Sequence, residues 1–301
     1  MALTLKQLRY FIAAAETGQI SHAAMELNIS QSAITTAIQG LEAQLGVRLL
    51  DRSALGVAPT IEGARFLNHA RNITAAVDDA ERLPLGEGRQ VTGRLRLGTT
   101  YTVAGYFMSR HYARFRRAYP DIQVEMVELP RLSVEEGLAT GSIDMAVMLV
   151  SNLANSAGLE HETLLRSNRR LWLSTDHPLL SADRITLADV GAQPYVMLTV
   201  DEAKDTASRY WAKVGLTPKV IFTTSSVEAV RSMVANGMGV TILSDMVYRP
   251  WSLEGQRIEL RSVAEPIPSM DVGLAWSNAH PMAATAAVFR SFMSVAMGGG
   301  G

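Results

Sequence analysis

Residues 21–46, SHAAMELNISQSAITTAIQGLEAQLG, contain two short helical patterns joined by a polar turn. The second pattern begins at Ser30, whose hydroxyl is typical of a helix N-cap. Its apolar residues recur at steps of three and four, which predicts one buried helix face; they are Ile34, Ala37, Ile38, Leu41 and Leu45. The stretch therefore predicts a helix-turn-helix, with a plain helical hairpin from a protein core as the alternative.

The opposite face of the second helix is small and polar. It carries Gln31, Ser32, Thr35, Thr36 and Gln39. Such side chains offer the hydrogen-bond donors and acceptors that suit base edges in the major groove of DNA. We therefore interpret these five residues as candidate base contacts.

The segments on either side extend this unit. A T-x-x-Q capping box at Thr4 predicts an earlier amphipathic helix. After the second helix, two short apolar runs in residues 47–60 predict a two-stranded wing. Arg48 and Arg52 in the wing are candidates for contacts with phosphate oxygens, and two plain surface arginines are the alternative.

Composition narrows the class of protein. The chain has 301 residues, of which 48% are hydrophobic and 19% charged, and this indicates a folded protein of two or three units. It has no cysteine, which excludes disulfides, thiol-based redox sensing and cysteine-ligated metals. The formal net charge of −1 predicts no overall attraction to nucleic acid or membrane. Neither a secretory signal nor a membrane span is recognisable, so we expect a cytoplasmic protein.

The N-terminal motifs occur in a characteristic order. The first helix has L-x-x-F, the second helical pattern opens with L-x-x-S-Q and continues as I-x-x-L-E-x-x-L-G, and the wing has L-x-R. In this order and spacing, residues 5–52 resemble the N-terminal domain of LysR-type transcriptional regulators. The resemblance implies a winged helix-turn-helix whose second helix enters the major groove, with Gln31, Ser32, Thr35 and Thr36 facing bases and Arg52 on the backbone.

The next helix is a candidate for pairing between subunits. It begins at Thr60, an expected N-cap, and its apolar residues recur at the a/d spacing of paired helices; they are Phe66, Ala70, Ile73, Val77 and Ala80. A helix packed on its own domain is the alternative. The family resemblance implies a linker helix that pairs antiparallel, so we expect a homodimer through this helix and a homotetramer of the whole protein. Residues 1–71 hold six basic and five acidic residues, so we expect DNA affinity to depend on this pairing.

From residue 93 the pattern changes to alternating strands and helices. The order strand, helix, strand, helix, strand through residue 150 predicts a parallel sheet with right-handed crossovers. A second series of the same kind predicts another lobe, and a late strand and helix return to the first lobe. Two helices are predicted to begin at capping boxes, Ser133 with Glu136 and Ser225 with Glu228.

These patterns predict a multidomain protein. We place an all-α winged helix-turn-helix in residues 1–59 and a linker helix with a hinge in residues 60–92. Residues 93–301 form an α/β effector-binding domain, with lobe one at 93–164 plus 269–297 and lobe two at 165–268. This domain resembles the effector-binding domain of the same family, which is similar to a periplasmic solute receptor; the matching stretches include GRLRLGTT, GSIDMAV and VANGMGVTILSD.

Candidate effector contacts lie at the predicted strand ends, because ligands in open α/β sheets bind at the carboxyl ends of strands. They are Thr99, Thr100, Thr102, Met148, Thr199, Asp201, Thr224 and Ser225. Hydroxyls beside helix N-termini favour a small carboxylate. The alternatives are that the threonines and Ser225 only cap helices and that Asp201 is a solvated helix start. Three aromatic residues could stack on an effector or fill the core: Tyr101, Phe107 and Trp211.

Catalysis has little support in the sequence. The six histidines show no H-x-x-x-H spacing, and neither a G-x-S-x-G nor a Walker pattern occurs. We therefore expect no catalytic residue, no metal and no cofactor. The sequence is interpreted as a DNA-binding transcriptional regulator controlled by a small-molecule effector, with RNA polymerase as a further partner implied by the resemblance. A solute receptor without regulatory role, or an enzyme of two-lobe fold, is the alternative.

Overall fold

The structure is a computed structural model of the chain, and it describes residues 3–53, 56–82, 91–153 and 158–297. The chain divides into two compact units, Met1–Arg82 and Leu83–Gly301. In the ranges described, no helix is both long enough and apolar enough to cross a membrane.

The N-terminal unit begins with three helices, α1 (Leu5–Thr17), α2 (Ile20–Glu26) and α3 (Gln31–Leu45). The predicted capping box of α1 is confirmed, because the Thr4 side chain accepts from the Gln7 amide and Gln7 reaches back to the Thr4 backbone. The predicted N-cap of α3 is also confirmed, since Ser30 Oγ accepts from the Ala33 amide at 3.2 Å. The helix boundaries therefore follow local capping chemistry.

One face of α3 is buried as predicted. Ile34, Ile38 and Leu41 are fully buried against α1, whose Leu8 and Phe11 are also inaccessible. Burying a side chain of this size contributes about 1.5–3 kcal/mol. Leu45, which was expected on the same face, is 38% exposed because the helix ends there.

Two strands and a long helix complete this unit: β1 (Leu50–Ser53), β2 (Gly56–Pro59) and α4 (Ile61–Arg82). The strands pair antiparallel as the predicted wing. Thr60 caps α4, with its Oγ1 accepting from the Gly63 amide at 2.9 Å. A Cβ at Gly63 would lie 1.9 Å from the Leu49 carbonyl oxygen, so only glycine lets α4 pack on the wing backbone.

The predicted apolar seam of α4 divides between two environments. The rings of Phe66 and Phe11 lie 5.4 Å apart, and Ala70 is fully buried. These two seam residues therefore pack in the core of their own unit, as the alternative expects, while pairing through the rest of the helix stays a prediction. Ile73 lies past this core and is 41% exposed. The side chain of Ala80 lies outside the described residues.

The C-terminal unit contains ten strands and seven α-helices in its described ranges. The strands are β3 (Gly93–Thr99), β4 (Ile122–Glu128), β5 (Met145–Leu149), β6 (Leu159–Ser167), β7 (Arg169–Ser174), β8 (Pro194–Leu198), β9 (Lys219–Thr224), β10 (Thr241–Ser244), β11 (Ile258–Arg261) and β12 (Met270–Ser277). The helices are α5 (Tyr101–Val103), α6 (Ser109–Ala118), α7 (Arg131–Thr140), α8 (Leu187–Gly191), α9 (Ala203–Lys213), α10 (Val227–Ala235) and α11 (Ala284–Met297).

Lobe one is built on a five-stranded sheet of order β4-β3-β5-β12-β6. Strand β3 runs parallel to β4 and β5, as predicted. Strand β12 is antiparallel to β5 and β6, because the chain enters this sheet again from lobe two. Since Ser167 still pairs with Met270, β6 extends three residues past the lobe boundary expected at 164.

The helices of lobe one differ in detail from the prediction. A π-helical turn, Ala104–Met108, joins α5 to α6, so one continuous helical segment follows β3. Helix α7 begins directly after Pro130, which is its N-cap. Ser133 therefore lies inside the helix, and the predicted capping box is wrong because Pro130 ends the preceding extended segment and starts the helix earlier.

Lobe two does not repeat the parallel order that was predicted. Strand β7 pairs antiparallel with both β10 and β11, whereas β8 runs parallel to β9 and forms a parallel bridge to Val240, just before β10. An isolated bridge between Tyr195 and Val240 connects the two small sheets. The prediction failed because apolar runs mark strands without specifying their direction. Helix α10 is capped by Ser226, whose Oγ accepts from the Ala229 amide, so the predicted cap at Ser225 is one residue early.

The two lobes share one apolar core. A single cluster of buried residues includes Leu149 and Val272 of lobe one together with Trp172 and Val230 of lobe two. All four are fully or almost fully buried. The lobes are therefore packed against each other over part of their facing surfaces.

Candidate functional site

The polar face of α3 is open to solvent. Gln31, Ser32, Thr36 and Gln39 are exposed, and Thr35 is half-buried. The hydroxyls of Ser30 and Ser32 lie 3.0 Å apart at the start of the helix. This face presents hydroxyl and amide groups on an amphipathic helix whose other side is fixed in a core, which is the arrangement of a helix that reads a DNA groove.

The wing is fixed to α3 by Glu42. Its Oε1 accepts from the backbone amides of Leu49 at 2.7 Å and Leu50 at 3.1 Å. Hydrogen bonds to a charged acceptor contribute about 1.5–3 kcal/mol. Arg48 and Arg52, the predicted phosphate contacts, are both exposed in this fixed segment. Glu42 is the glutamate of the I-x-x-L-E-x-x-L-G motif. The motif marks its position in the sequence, but its bonds to the wing backbone were not predicted.

In lobe one, three predicted effector contacts are buried at the end of β3 and the start of α5. Thr99, Thr100 and Thr102 are 1%, 2% and 4% exposed. The Oγ1 atoms of Thr99 and Thr100 are buried and have no hydrogen-bond partner within the described ranges. Thr100 is the N-cap residue of α5, but its side chain makes no capping hydrogen bond. The alternative that these threonines act as side-chain helix caps is therefore not supported for Thr100.

In lobe two, neighbouring strand ends bring Thr199 and Thr224 together. Thr199 Oγ1 donates to the Thr224 carbonyl at 3.2 Å, and Thr224 Oγ1 accepts from the Ser226 amide at 3.1 Å. Ser225 is exposed. Both threonine hydroxyls thus already have backbone partners, unlike those of Thr99 and Thr100.

Met148 lies in a core and not on the floor of the cleft. It is fully buried in a cluster with Val134 and Leu138 of α7. Alternate residues of a strand face opposite sides of a sheet, and here Val147 belongs to the other core, which the two lobes share. The predicted role of Met148 as an effector contact is therefore wrong in this arrangement.

Asp201 connects the two lobes. Its Oδ2 accepts from the backbone amide of Thr102 at 2.7 Å. Asn152 of lobe one donates from Nδ2 to the Asp201 carbonyl at 2.9 Å and to Glu202 Oε2 at 3.0 Å. Asp201 therefore joins the two lobes, and the alternative of a solvated helix start is wrong for it. Asn152 was missed, because contacts about fifty residues apart leave no local pattern.

A cation reinforces this connection. Arg131 Nε donates to Glu202 Oε1 at 3.1 Å, and its Nη1 donates to Glu135 Oε1 at 2.7 Å. Burial lowers the pKa of Arg131, but the hydrogen bonds that it donates to the carboxylates of Glu135 and Glu202 outweigh this and leave the pKa raised. The guanidinium therefore stays charged and holds Glu202 against lobe one. Sequence reasoning missed Arg131 for the same reason as Asn152.

Two of the three candidate aromatic residues fill cores. Phe107 is 6% exposed and packs on His111 with ring centroids 4.6 Å apart. Trp211 is 1% exposed and packs edge-on against Tyr195. Tyr101, at the start of α5, is 38% exposed. Among the described residues, no cluster of three or more His, Asp or Glu side chains could hold a metal ion.

Comparisons with known proteins agree with this arrangement. Residues 5–64 match the family model for the bacterial regulatory helix-turn-helix protein of the LysR family, and residues 88–297 match the LysR substrate binding domain. The HTH-type transcriptional regulator YnfL of Escherichia coli K12 is 32% identical over 306 residues, which cover 96% of this chain and 97% of that relative. YvbU of Bacillus subtilis 168, also an HTH-type transcriptional regulator, is 30% identical and covers 81% of this chain and 82% of its own.

A solved structure has the same architecture. The LysR family transcriptional regulator HinK from Pseudomonas aeruginosa superposes with a TM-score of 0.63 at 27% identity, covering 97% of both chains. The chain belongs to the LysR family of DNA-binding transcriptional regulators, which pair a helix-turn-helix domain with an effector-binding domain and are not enzymes. Both predicted alternatives, a solute receptor and an enzyme, are therefore wrong.

Proposed function

We propose that this regulator contacts operator DNA through the polar face of α3 and the two wing arginines, and that it responds to a small carboxylate bound between the lobes. The base contacts would be Gln31, Ser32, Thr35, Thr36 and Gln39, and the phosphate contacts Arg48 and Arg52. Support comes from the exposure of this face on a helix fixed by its own core and by Glu42. Since its partner is DNA, we place the protein in the cytoplasm, and no cofactor is required.

One observation carries the effector proposal. The hydroxyls of Thr99 and Thr100, three and two residues before Thr102 in the chain, are buried without a partner among the described residues. Buried polar groups are nearly always hydrogen-bonded, so two neighbouring exceptions at the end of a parallel strand favour a ligand site. Hydroxyl and amide donors together suit a carboxylate. Thr199, Asp201 and Thr224 supply the facing side of this site.

Self-association through α4 is part of the proposal. Beyond the core that Phe66 and Ala70 complete, Ile73 is 41% exposed and supports a helix-to-helix contact with a second copy. A second apolar surface, on β9, supports a tetramer, because Val220, Ile221 and Phe222 are 43%, 44% and 39% exposed there. Contact with RNA polymerase stays a prediction from the family resemblance.

The regulatory step follows from these parts. A ligand that binds one arrangement of the lobes better than another shifts the equilibrium between them. In a dimer or tetramer this shift changes the spacing of the DNA-binding units. Binding energy at the cleft is thereby coupled to operator binding.

The effector proposal is tested with Thr100→Val in the full-length chain. Valine has nearly the same shape and lacks the hydroxyl, and the hydroxyl has no protein partner, so the variant keeps or slightly gains stability. The same variant loses the rise in Tm that a screen of organic acids produces in the wild type. Thr241→Val is the matched control, because this buried hydroxyl donates to the Val196 carbonyl at 2.9 Å and its loss destabilises the fold.

The outcomes separate clearly. A wild-type Tm that rises with carboxylates, together with loss of this response in Thr100→Val, supports the proposal. A protein that is stabilised only by amines or sugars contradicts it. Operator DNA selected from a random-sequence library, with and without the active acid, then tests whether binding at the cleft changes DNA binding.

A further inference from the structure

The amide that a carboxylate effector would use is already bound to a carboxylate of the chain. Asp201 Oδ2 lies 2.7 Å from the Thr102 amide nitrogen, which is a short, charge-assisted distance. Thr102 belongs to lobe one and Asp201 to lobe two, so this bond closes the cleft. Asp201 thus holds the position at which an effector oxygen would bind.

The segment that carries Asp201 is held against lobe one by further contacts. Asn152 donates to the Asp201 carbonyl and to Glu202, and Arg131 pairs with Glu202. Asp201 and Glu202 are both in the left-handed conformation, with φ of 48° and 56°. Residues other than glycine adopt this conformation at a cost, so the contacts with lobe one maintain it.

Two buried hydroxyls close to Thr102 in the sequence are not used by Asp201. The hydroxyls of Thr99 and Thr100 are 98% or more buried, and neither donates to Asp201 or to any other described residue. Thr100 is the N-cap of α5, the short helix that contains Thr102. A free carboxylate with two oxygens could take the amide and a hydroxyl together, and this additional hydrogen bond would allow it to replace Asp201.

An anionic and a cationic ligand would act differently on the hydrogen bond between Asp201 and the Thr102 amide. Arg131, the cation that contacts this segment, donates to Glu202 and Glu135. The hydrogen bond recorded for the Asp201 carboxylate comes from a neutral backbone amide, so an incoming carboxylate can replace it bond for bond. A cationic ligand would pair with Asp201 and would leave its hydrogen bond to the Thr102 amide in place, so it would not release this segment from lobe one.

We propose that the Asp201 carboxylate competes with the effector for the Thr102 amide and thereby determines how strongly the cleft binds carboxylates. The effector carboxylate displaces Asp201 Oδ2 from the Thr102 amide, gains the hydroxyls of Thr99 and Thr100, and releases the segment 200–202 from lobe one. Anions that bind weakly or accept a single hydrogen bond fail to displace Asp201. Asp201 therefore makes the site selective and also holds the two lobes together. This inference rests on the proposed effector site.

The test compares Asp201→Asn with the wild type in the full-length chain, with acetate and benzoate as probes. Asparagine keeps the size and an acceptor oxygen but loses the charge, so its bond to the Thr102 amide is weaker and it no longer repels an anion. We expect Asp201→Asn to bind benzoate at least tenfold more tightly by calorimetry. Asp205→Asn, which makes the same charge change at an exposed residue of α9, leaves the affinity unchanged.

Hydrogen exchange provides a second measurement that does not depend on ligand. The Thr102 amide exchanges faster in Asp201→Asn than in the wild type, while the buried strands keep their protection. Unchanged exchange at Thr102 in a variant with native Tm overturns the inference.

The binding results also distinguish the two proposals. If benzoate binds the wild type, Thr100→Val abolishes binding, and Asp201→Asn binds no more tightly, the effector site stands and the inference fails. If ethylammonium binds the wild type and Asp201→Asn loses that binding, Asp201 is a cation ligand and the inference fails as well. If neither protein binds any carboxylate probe, both proposals fail.

Discussion

The two proposed binding surfaces of this regulator differ in how accessible they are. On α3, Gln31, Ser32 and Thr36 stand exposed, and nothing in the fold has to move before DNA reaches them. Between the lobes, the Thr102 amide is bonded to Asp201, and the nearby hydroxyls of Thr99 and Thr100 are inaccessible. One surface is preformed and open, and the other is closed by the chain itself.

The difference follows from what each surface has to do. An exposed polar helix face costs nothing in water, because solvent satisfies its donors and acceptors until bases replace it. In the proposed function the cleft couples ligand binding to a change of shape, and a ligand can do so only if it distinguishes two states. The bonds across the cleft supply one of those states, and their replacement by an effector would supply the other.

The open surface is tested most strongly by Thr36→Glu. A carboxylate on the exposed face of α3 repels phosphates and cannot donate a hydrogen bond to base acceptors as the threonine hydroxyl can, so operator affinity should fall about 100-fold, or about 3 kcal/mol. Thr36→Ser keeps the hydroxyl and should remain within about threefold of the wild type. Fluorescence anisotropy with selected operator DNA measures both. Equal binding by wild type and Thr36→Glu would remove this face from the interface.

The contacts that hold the two lobes together are tested by Arg131→Met. Loss of the guanidinium leaves Glu135 and Glu202 without their cation in a partly buried site, which should cost about 2 kcal/mol. For a domain of this size, that corresponds to a fall in Tm of about 4–8 °C. Calorimetry of the full-length chain, which resolves the transition of the C-terminal unit, measures this change.

Arg166→Met is the matched control for that change. Its Nε lies 3.7 Å from Asp271 Oδ2, and its side chain is 77% exposed, so its loss should cost less than about 0.5 kcal/mol. Equal effects of the two substitutions would mean that Arg131 does not hold the lobes together.

Self-association is tested by Ile73→Asp, with a smaller expected effect. A carboxylate placed in an apolar contact between two α4 helices has no partner, so dimer affinity should fall about tenfold, or about 1.4 kcal/mol. Asn72→Asp adds the same charge at an exposed neighbouring position and should leave the dimer unchanged. Sedimentation velocity over a concentration series measures both. A dimer that tolerates Ile73→Asp does not form through this part of α4.

The smallest expected effect is a dependence on acid pH through Glu228. Burial raises the pKa of Glu228, but hydrogen bonds from Arg231 and Tyr106 lower it by a larger amount. The pKa in the folded state therefore lies below the usual 4.5. A depressed carboxylate pKa stabilises the fold above the unfolded value and loses that contribution as pH falls through the folded value. Because the group is largely solvent-screened, we expect a loss of a few tenths of a kcal/mol, roughly below pH 4.5.

Thermal unfolding of wild type and Glu228→Gln at several pH values checks this expectation. The variant is less stable near neutral pH, because Arg231 loses its carboxylate, and its Tm falls less steeply in acid. Parallel pH profiles for the two proteins would show that Glu228 does not contribute.

Much of the N-terminal unit was predictable from the sequence. Two of its helices are capped by Thr4 and Ser30, and α3 buries Ile34, Ile38 and Leu41. Both features depend on interactions between residues three or four apart. Such interactions leave a pattern in the sequence. The division of the α4 seam was not predictable, because the same spacing serves a contact with α1 and a contact with another chain.

The C-terminal unit was predictable as two lobes but not in its connections. The strand ends at Thr99 and Thr199 were found, because each is followed by a polar helix start. The antiparallel pairing of β7, the burial of Met148 beneath α7 and the cap at Ser226 were not, since strand direction and sheet face depend on which elements become neighbours.

By itself, the sequence determined the helix-turn-helix, the wing, the presence of two α/β lobes and the family. Only the tertiary structure decided that Asp201 binds the Thr102 amide and that Asn152 and Arg131 hold the same segment. The physical reason is the separation in sequence between the interacting residues. Helix faces and caps are set by neighbours within one or two helical turns. A bond between residues about a hundred positions apart exists only once both lobes have folded and met.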